Sequence, residues 1–341
     1  NASKGGRAML KTQLCRDLGI DLPILNAGMG GGVANAALAA AVSNAGGLGV
    51  LGMGGLPGAV IRDEIRKLRS LTAKPFGVNI ILALLEEGQI EACLDEKVPV
   101  LILFWGDPKP FVAMARRTGT RLVIQCGSVD EAKSAADAGV DAVMIQGVEA
   151  GGHVKGTTAL SIALPAVVEA VKPLPVIAAG GVANGPGLAA ALELGAQAVS
   201  IGTRFLCSDE SSALRSYKER IVRAKAEDTV HTLLFDVGWP NAAHRVLRNK
   251  AYAEWEAAGS PPPGRRPGEG IPFGAMTIAG ARVELPRYHI FMPLEGFEGD
   301  MEYAALYAGQ SCALVNAIEP AAHIVDELAR DARAVLQSRA S

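Results

Sequence analysis

The chain has 341 residues, a formal net charge of −2, and 49% hydrophobic against 20% charged residues. That balance leaves no basic field for nucleic acid and no polybasic patch for a membrane, and it supplies apolar matter for one large core. The length exceeds a typical domain but suits an α/β barrel, commonly about 250 residues, carrying an appendage.

The first residues, Asn1 to Arg7, carry charge but no apolar run, so no secretory signal is expected and Met9 reads as the natural start. The Ala-rich stretch from Val33 to Val50 is broken by Asn35, Ser43, Asn44 and the Gly46-Gly47 pair, which predicts a buried helix and turn, not a membrane span. From there to about residue 225, short apolar runs alternate with amphipathic stretches. The runs are Ile24–Met29, Leu48–Met53, Phe76–Ile81, Val100–Trp105, Arg121–Cys126, Ala142–Gly147, Pro175–Gly181 and Ala198–Thr203. Most are continuously apolar, as parallel strands covered on both faces require.

Between the runs, Ser128 and Glu131 read as a capping box and Asn184 as an N-cap before Pro186. Gly119, Gly139 and Gly195 read as helix stops. Eight βα units in succession predict an α/β fold, a (β/α)8 TIM barrel over residues 10–227. A doubly wound open sheet is the rival. It is disfavoured because the glycine string Ala27 to Val33 has no acidic residue about 20 positions on to bind a ribose.

After Asp228 the alternation stops. Residues 228–310 hold a Pro/Gly loop and scattered aromatics, and are expected to form a lid over the barrel mouth that brings Trp239, Tyr288 or Tyr303 to a substrate pocket. Residues 311–341 are expected to close the barrel with a helix that begins near Pro320. Five cysteines, an odd number without a CxxC pair, argue against zinc and dithiol motifs and favour a reducing, cytoplasmic compartment. No metal site is expected.

Two features carry chemistry. Behind the sixth run, Glu149-Ala-Gly-Gly-His153 sets one imidazole on a βα turn whose glycines let backbone approach a flat or anionic ligand. The seventh and eighth runs end in Ala179-Gly-Gly181 and Gly202-Thr203-Arg204, in the two loops where barrels often bind phosphate through backbone N–H groups. Arg204 either adds charge there or makes an internal ion pair.

With Asn26-Ala-Gly-Met29, Ala45-Gly-Gly47, Phe76-Gly-Val-Asn79 and Ile201-Gly-Thr-Arg-Phe205, these motifs resemble, in order, the nitronate monooxygenase (2-nitropropane dioxygenase-like) family of FMN-dependent barrels. Flavin-dependent enoyl-thioester reductases are among its relatives. The likeness covers about residues 10–225 and returns in Tyr307–Val315.

The resemblance implies FMN as cofactor, with Ala27, Gly28 and Met29 along the ring and Asn79 hydrogen-bonded to it. It implies Gln125 and Gln146 at the ring or ribityl chain, and Gly151 and Gly152 beside the ring. Ala179, Gly180, Gly181, Gly202 and Thr203 would lie around the phosphate, and His153 would be the catalytic base. Asn26 stands where many members have Gln, and Gln125 where nitronate-oxidising relatives often have Lys. The implied activity is oxidation of alkyl nitronates by O2 to a carbonyl compound and nitrite. The alternative is NAD(P)H-dependent reduction of an enoyl thioester, and a barrel that binds flavin without turnover is a third reading. Expected partners are a small-molecule substrate and O2, and a homodimer is the candidate assembly.

Overall fold

The computed structural model describes residues 10–278 and 281–340. Met9 and the stretch before it lie outside the described residues. Eight parallel strands form one sheet: β1 (Ile24–Asn26), β2 (Gly49–Gly52), β3 (Phe76–Ile81), β4 (Val100–Phe104), β5 (Arg121–Cys126), β6 (Ala142–Gln146), β7 (Val176–Ala179) and β8 (Ala198–Ile201). Neighbours in the sheet are neighbours in sequence, and β8 pairs with β1. The ring closes between β1 and β2 through a parallel bridge at Leu25 and Leu48, with the Leu48 N–H donating to the Ile24 carbonyl at 2.9 Å.

That seam is short, and Asn26 reinforces it. Its fully buried carboxamide accepts from the Val50 N–H and donates to the Val50 carbonyl, both at 2.8 Å. Both polar ends of the side chain are therefore spent on closing the barrel.

The eight expected strands are all present, most ending one to three residues earlier than the apolar runs, because those last residues turn into the rim loops. Seven crossover helices surround them: α1 (Ala36–Asn44), α2 (Gly58–Leu71), α3 (Gln89–Asp95), α4 (Lys109–Thr118), α5 (Val129–Ala138), α6 (Leu160–Ala170) and α7 (Gly185–Glu193). The caps follow the side-chain chemistry. Asn184 accepts from the Gly187 N–H, and Gly119 and Gly139 end their helices in the left-handed region. The Ser128 box is half formed: Ser128 accepts from the Glu131 N–H, but Glu131 reaches back to the Gly127 N–H instead of closing on Ser128. The chain leaves the barrel after β8 and returns as α8 (Ala321–Ala340), which packs on α7 and α1 and supplies the eighth outer helix.

Three apolar cores follow from this path. One lies between strands and helices. A second fills the barrel interior with Leu25, Val50, Ile102, Val123, Met144 and Ile177, plugged from below by Leu14 and Leu18 of the helix Gln13–Leu18. The third lies above the rim, built from Phe235, Val246, Leu285, Tyr288, Tyr303 and Leu306. Tyr217 and Ile221 of the helix Arg215–Val222 also belong to it, so this upper layer begins before residue 228. Burial of each large apolar side chain contributes about 1.5–3 kcal/mol.

Candidate active site

The C-terminal ends of the strands and the upper layer enclose a cavity of about 580 Å³. All the site residues read from the sequence line it. Ala27, Gly28 and Met29 follow β1, Asn79 lies on β3, Gln125 on β5, and Gln146 ends β6. Gly151, Gly152 and His153 come from the loop after β6, Ala179, Gly180 and Gly181 from the end of β7, and Gly202 and Thr203 from the end of β8.

His153 is positioned by sheet formation. Gly152 and His153 pair antiparallel with Arg245 and His244 of the strand His244–Leu247. The Arg245 guanidinium holds the same loop by donating to the Val148 carbonyl at 2.9 and 3.3 Å. Gln146 completes the clamp: it donates to the His153 carbonyl at 3.0 Å and accepts from the Lys155 N–H at 3.2 Å. One carboxamide expected at the ligand thus also shapes the loop that carries the imidazole.

The His153 ring stacks on Trp239 at 4.1 Å between centroids and lies 5.4 Å from both His244 and Tyr307. One edge of the residue meets the cavity, while Nε2 is shut off from solvent and has no hydrogen-bond partner. Desolvation, aided by the neighbouring His244, pushes its pKa down to about 3. The ring is therefore neutral at ordinary pH. An orphaned buried polar atom costs about 1–3 kcal/mol, so this ring sits in its place at a cost to stability.

The glycines divide by cause. A Cβ on Gly151 would sit 2.3 Å from the Gly309 nitrogen, so that glycine is required by the returning chain, not by a ligand. Gly180 and Gly181 have φ of +89° and +74°, which L side chains rarely adopt. Gly202 has an ordinary φ of −94°, and a Cβ there would meet only Ala27 at 3.6 Å. Its small size leaves open space in the cavity.

Thr203 accepts from the Gly309 N–H at 3.0 Å, which leaves its hydroxyl hydrogen available. Asn79 donates to the Ile102 carbonyl at 3.2 Å, and the Gln125 carboxamide makes no hydrogen bond among the described residues. Arg204 takes the internal option: it pairs with Glu319 and, at 3.4 Å, with Glu327, fastening the segment before α8.

Of the three lid aromatics expected at the pocket, Trp239 lines it and the other two do not. Tyr288 is fully buried and donates to the Pro267 carbonyl at 2.7 Å, and Tyr303 donates to Glu254 at 2.7 Å. Both serve the upper core because their hydroxyls find partners there. The sequence reading passed over Tyr307, Ser311, His289 and Phe291, which all line the cavity. Tyr307 and Ser311 stand in the closing motif already singled out; His289 and Phe291 sit in an irregular stretch that periodicity cannot assign. No cluster of His, Cys, Asp and Glu able to hold a metal occurs among the described residues. The five cysteines are buried and unpaired, and burial raises Cys93, Cys126 and Cys207 to about 12.

The sequence profile described as nitronate monooxygenase matches residues 11–89 and 85–331. A nitronate monooxygenase of Pseudomonas aeruginosa is 33% identical, over 93% of this chain and 98% of its own. A (3aS,4S,5R,7aS)-5-hydroxy-7a-methyl-1-oxo-octahydro-1H-indene-4-carboxyl-CoA dehydrogenase of Mycobacterium tuberculosis is 38% identical, over 73% of this chain and 69% of its own. Among solved structures, a nitroalkane oxidase of Streptomyces ansochromogenes superposes with a TM-score of 0.77 at 30% identity, covering 96% of this chain and 99% of that one.

Proposed function

The chain belongs to the nitronate monooxygenase family and is an oxidoreductase, and from that premise we propose that it binds FMN in the rim cavity and oxidises alkyl nitronates with O2 to a carbonyl compound and nitrite. The observation that carries this reading is the meeting, in one cavity, of a neutral imidazole and of glycine backbone at the ends of β7 and β8.

The residues fit such a cofactor. Gly180, Gly181 and Gly202 leave backbone open to a phosphate, with hydroxyl donors from Thr203 and Ser311. The Gly309–Leu314 segment packs across that end, which favours a mononucleotide over FAD. Asn79 and Gln125 offer carboxamides to a ring edge, and Ala27 to Met29 with Gly152 would lie along its faces. Bound there, FMN supplies an acceptor for electrons from a carbanion-like substrate and a donor of electrons to O2.

The protein's part is to hold the substrate dry and oriented. A ring with a pKa near 3 stays unprotonated, as a base must, but it lies far below the working pH at which a general base is most effective. Proton capture from a neutral nitroalkane is therefore uphill for His153, and the preformed nitronate is the proposed substrate. His153 then orients the anion from the cavity wall. The five unpaired cysteines fit the reducing cytoplasm.

A second reading has its own support: the Mycobacterium tuberculosis relative is named for a CoA-thioester substrate, and no Lys or Arg lines the cavity among the described residues. It is an NAD(P)H-dependent reductase of enoyl thioesters. Anaerobic mixing separates the two. Bleaching of the bound flavin by a nitronate, with slow reduction by NADPH, is the expected result; fast reduction by NADPH alone supports the reductase. His153→Asn should retain flavin and lose activity comparably on nitronate and nitroalkane. A loss of about 10²–10⁴-fold confined to nitroalkane would instead make His153 a general base.

A further inference from the structure

Building on that reading, we propose that His289 is a substrate-positioning residue whose Nε2–H donates a hydrogen bond to an oxygen of the substrate's delocalised oxyanion. Among the described residues that line the cavity, Glu86 is the only charged side chain, so an anion entering it finds no fixed positive charge from them. It must be held by neutral donors.

His289 is built as one. The Phe291 N–H donates to His289 Nδ1 at 3.1 Å, so in the neutral ring the proton sits on Nε2. Burial lowers the pKa of this imidazole, which keeps it neutral. Its ring stacks on Phe291 at 4.8 Å and 23°, which fixes the direction of the donor. Nε2 has no acceptor among the described residues although the ring lines the cavity.

The backbone ties this donor to the His153 wall. Val237 and His289 form a parallel bridge, and a Cβ on Gly238 would lie 3.8 Å from His289 Cε1. The next residue, Trp239, stacks on His153. Beside the donor, Ile290, Phe291, Met292 and Leu294 present an apolar wall. A polar head at His289 with an alkyl body against that wall describes a nitronate of several carbons better than the smallest ones.

Two substitutions separate the donor from the loop-holding role of Nδ1. His289→Asn keeps an acceptor near the Nδ1 position and removes Nε2; His289→Gln carries an N–H to the Nε2 position. Butyrate, a carboxylate with the same heavy-atom skeleton as propyl nitronate, is titrated calorimetrically into each holoprotein, and steady-state oxidation of propyl nitronate is measured in parallel. His289→Asn should weaken butyrate binding about tenfold or more, as loss of a hydrogen bond to a charged group does. It should raise KM similarly with kcat within about threefold, while His289→Gln stays within about threefold of the parent in both.

Butyrate affinity and KM unchanged in His289→Asn would overturn the proposal. So would an equal loss in both variants together with a lower melting temperature, or no binding of millimolar butyrate by the parent protein. Binding of butyrate through His289 without any nitronate oxidation would leave the donor role standing and remove the oxygenase reading instead.

Discussion

The barrel and the layer above it reach the same cavity by different physical means. The barrel contributes mainly backbone and carboxamides: strand ends and glycines from β1, β7 and β8, set in place by a closed ladder of parallel strands. The upper layer contributes rings, namely Trp239, His289, Phe291 and Tyr307, and holds them through buried polar staples beside two small antiparallel sheets. Its central staple is Arg266, which pairs with Asp236 at 2.7 Å and with Glu269, donates to the Leu234 carbonyl at 2.9 Å, and lies 4.4 Å over the Tyr288 ring. A ladder tolerates local change. A staple fails as a unit.

Breaking the staple should therefore have the largest effect and should spare the barrel. Arg266→Met leaves Asp236 and Glu269 without their buried partner, a loss of about 3–5 kcal/mol for pairs of this kind. Amide hydrogen exchange is expected to rise across residues 232–300 and to remain protected in β3 through β6. Flavin content should change little while KM for substrate climbs. Uniform loss of protection throughout the chain would mean that the two layers fold as one cooperative unit.

The complementary change sharpens the comparison from the barrel side. Gly181→Val is a poor probe, since φ of +74° strains any side chain there whatever the cavity holds. Gly202→Val keeps an allowed backbone and fills open space. Overpacking typically costs about 1–3 kcal/mol, or up to roughly 100-fold in flavin affinity. The ratio of flavin to protein absorbance after purification reads it, with the melting temperature of the apoprotein unchanged. A full complement of flavin would remove the phosphate from this end of the cavity.

The same contrast governs what the sequence made legible. Barrel strands are buried on both faces, so they appear as continuous apolar runs, and the rim positions follow by counting to the end of each run. Gly202 and Thr203 follow that way, whereas Asn79 and Gln125 come from the family resemblance. The upper layer has no period. Tyr288 and Tyr303 carry the same aromatic signal as Trp239, and only the acceptors at Pro267 and Glu254 decide that they point into the core. Arg266 looks like part of a solvated Pro/Gly loop until Asp236, thirty positions earlier, folds back against it. Long-range polar pairing of this sort leaves no local pattern.

The smallest effect concerns acid, and it too separates the layers. His153 and His244 have folded pKa values lowered to about 3 and about 4, chiefly by burial. His244 adds a specific reason: its Nε2 accepts the Phe235 N–H at 3.2 Å while Nδ1 faces the Ala242 carbonyl at 2.9 Å, so a second proton would break an existing bond. The unfolded chain binds these protons with a pKa near 6.5, so between roughly pH 6.5 and the folded values it holds more protons than the native state. Stability is then fully present above about pH 6.5 and falls as pH drops. Between pH 7 and pH 5 the loss should be about 2 kcal/mol for each imidazole. Denaturant midpoints of the apoprotein at the two pH values measure it. His244→Gln should lower the midpoint at pH 7, since the fit to Phe235 is lost, but should roughly halve the further fall at pH 5. An undiminished fall in that variant would place the acid sensitivity elsewhere, in His153, His231 and His289, whose pKa values burial also lowers.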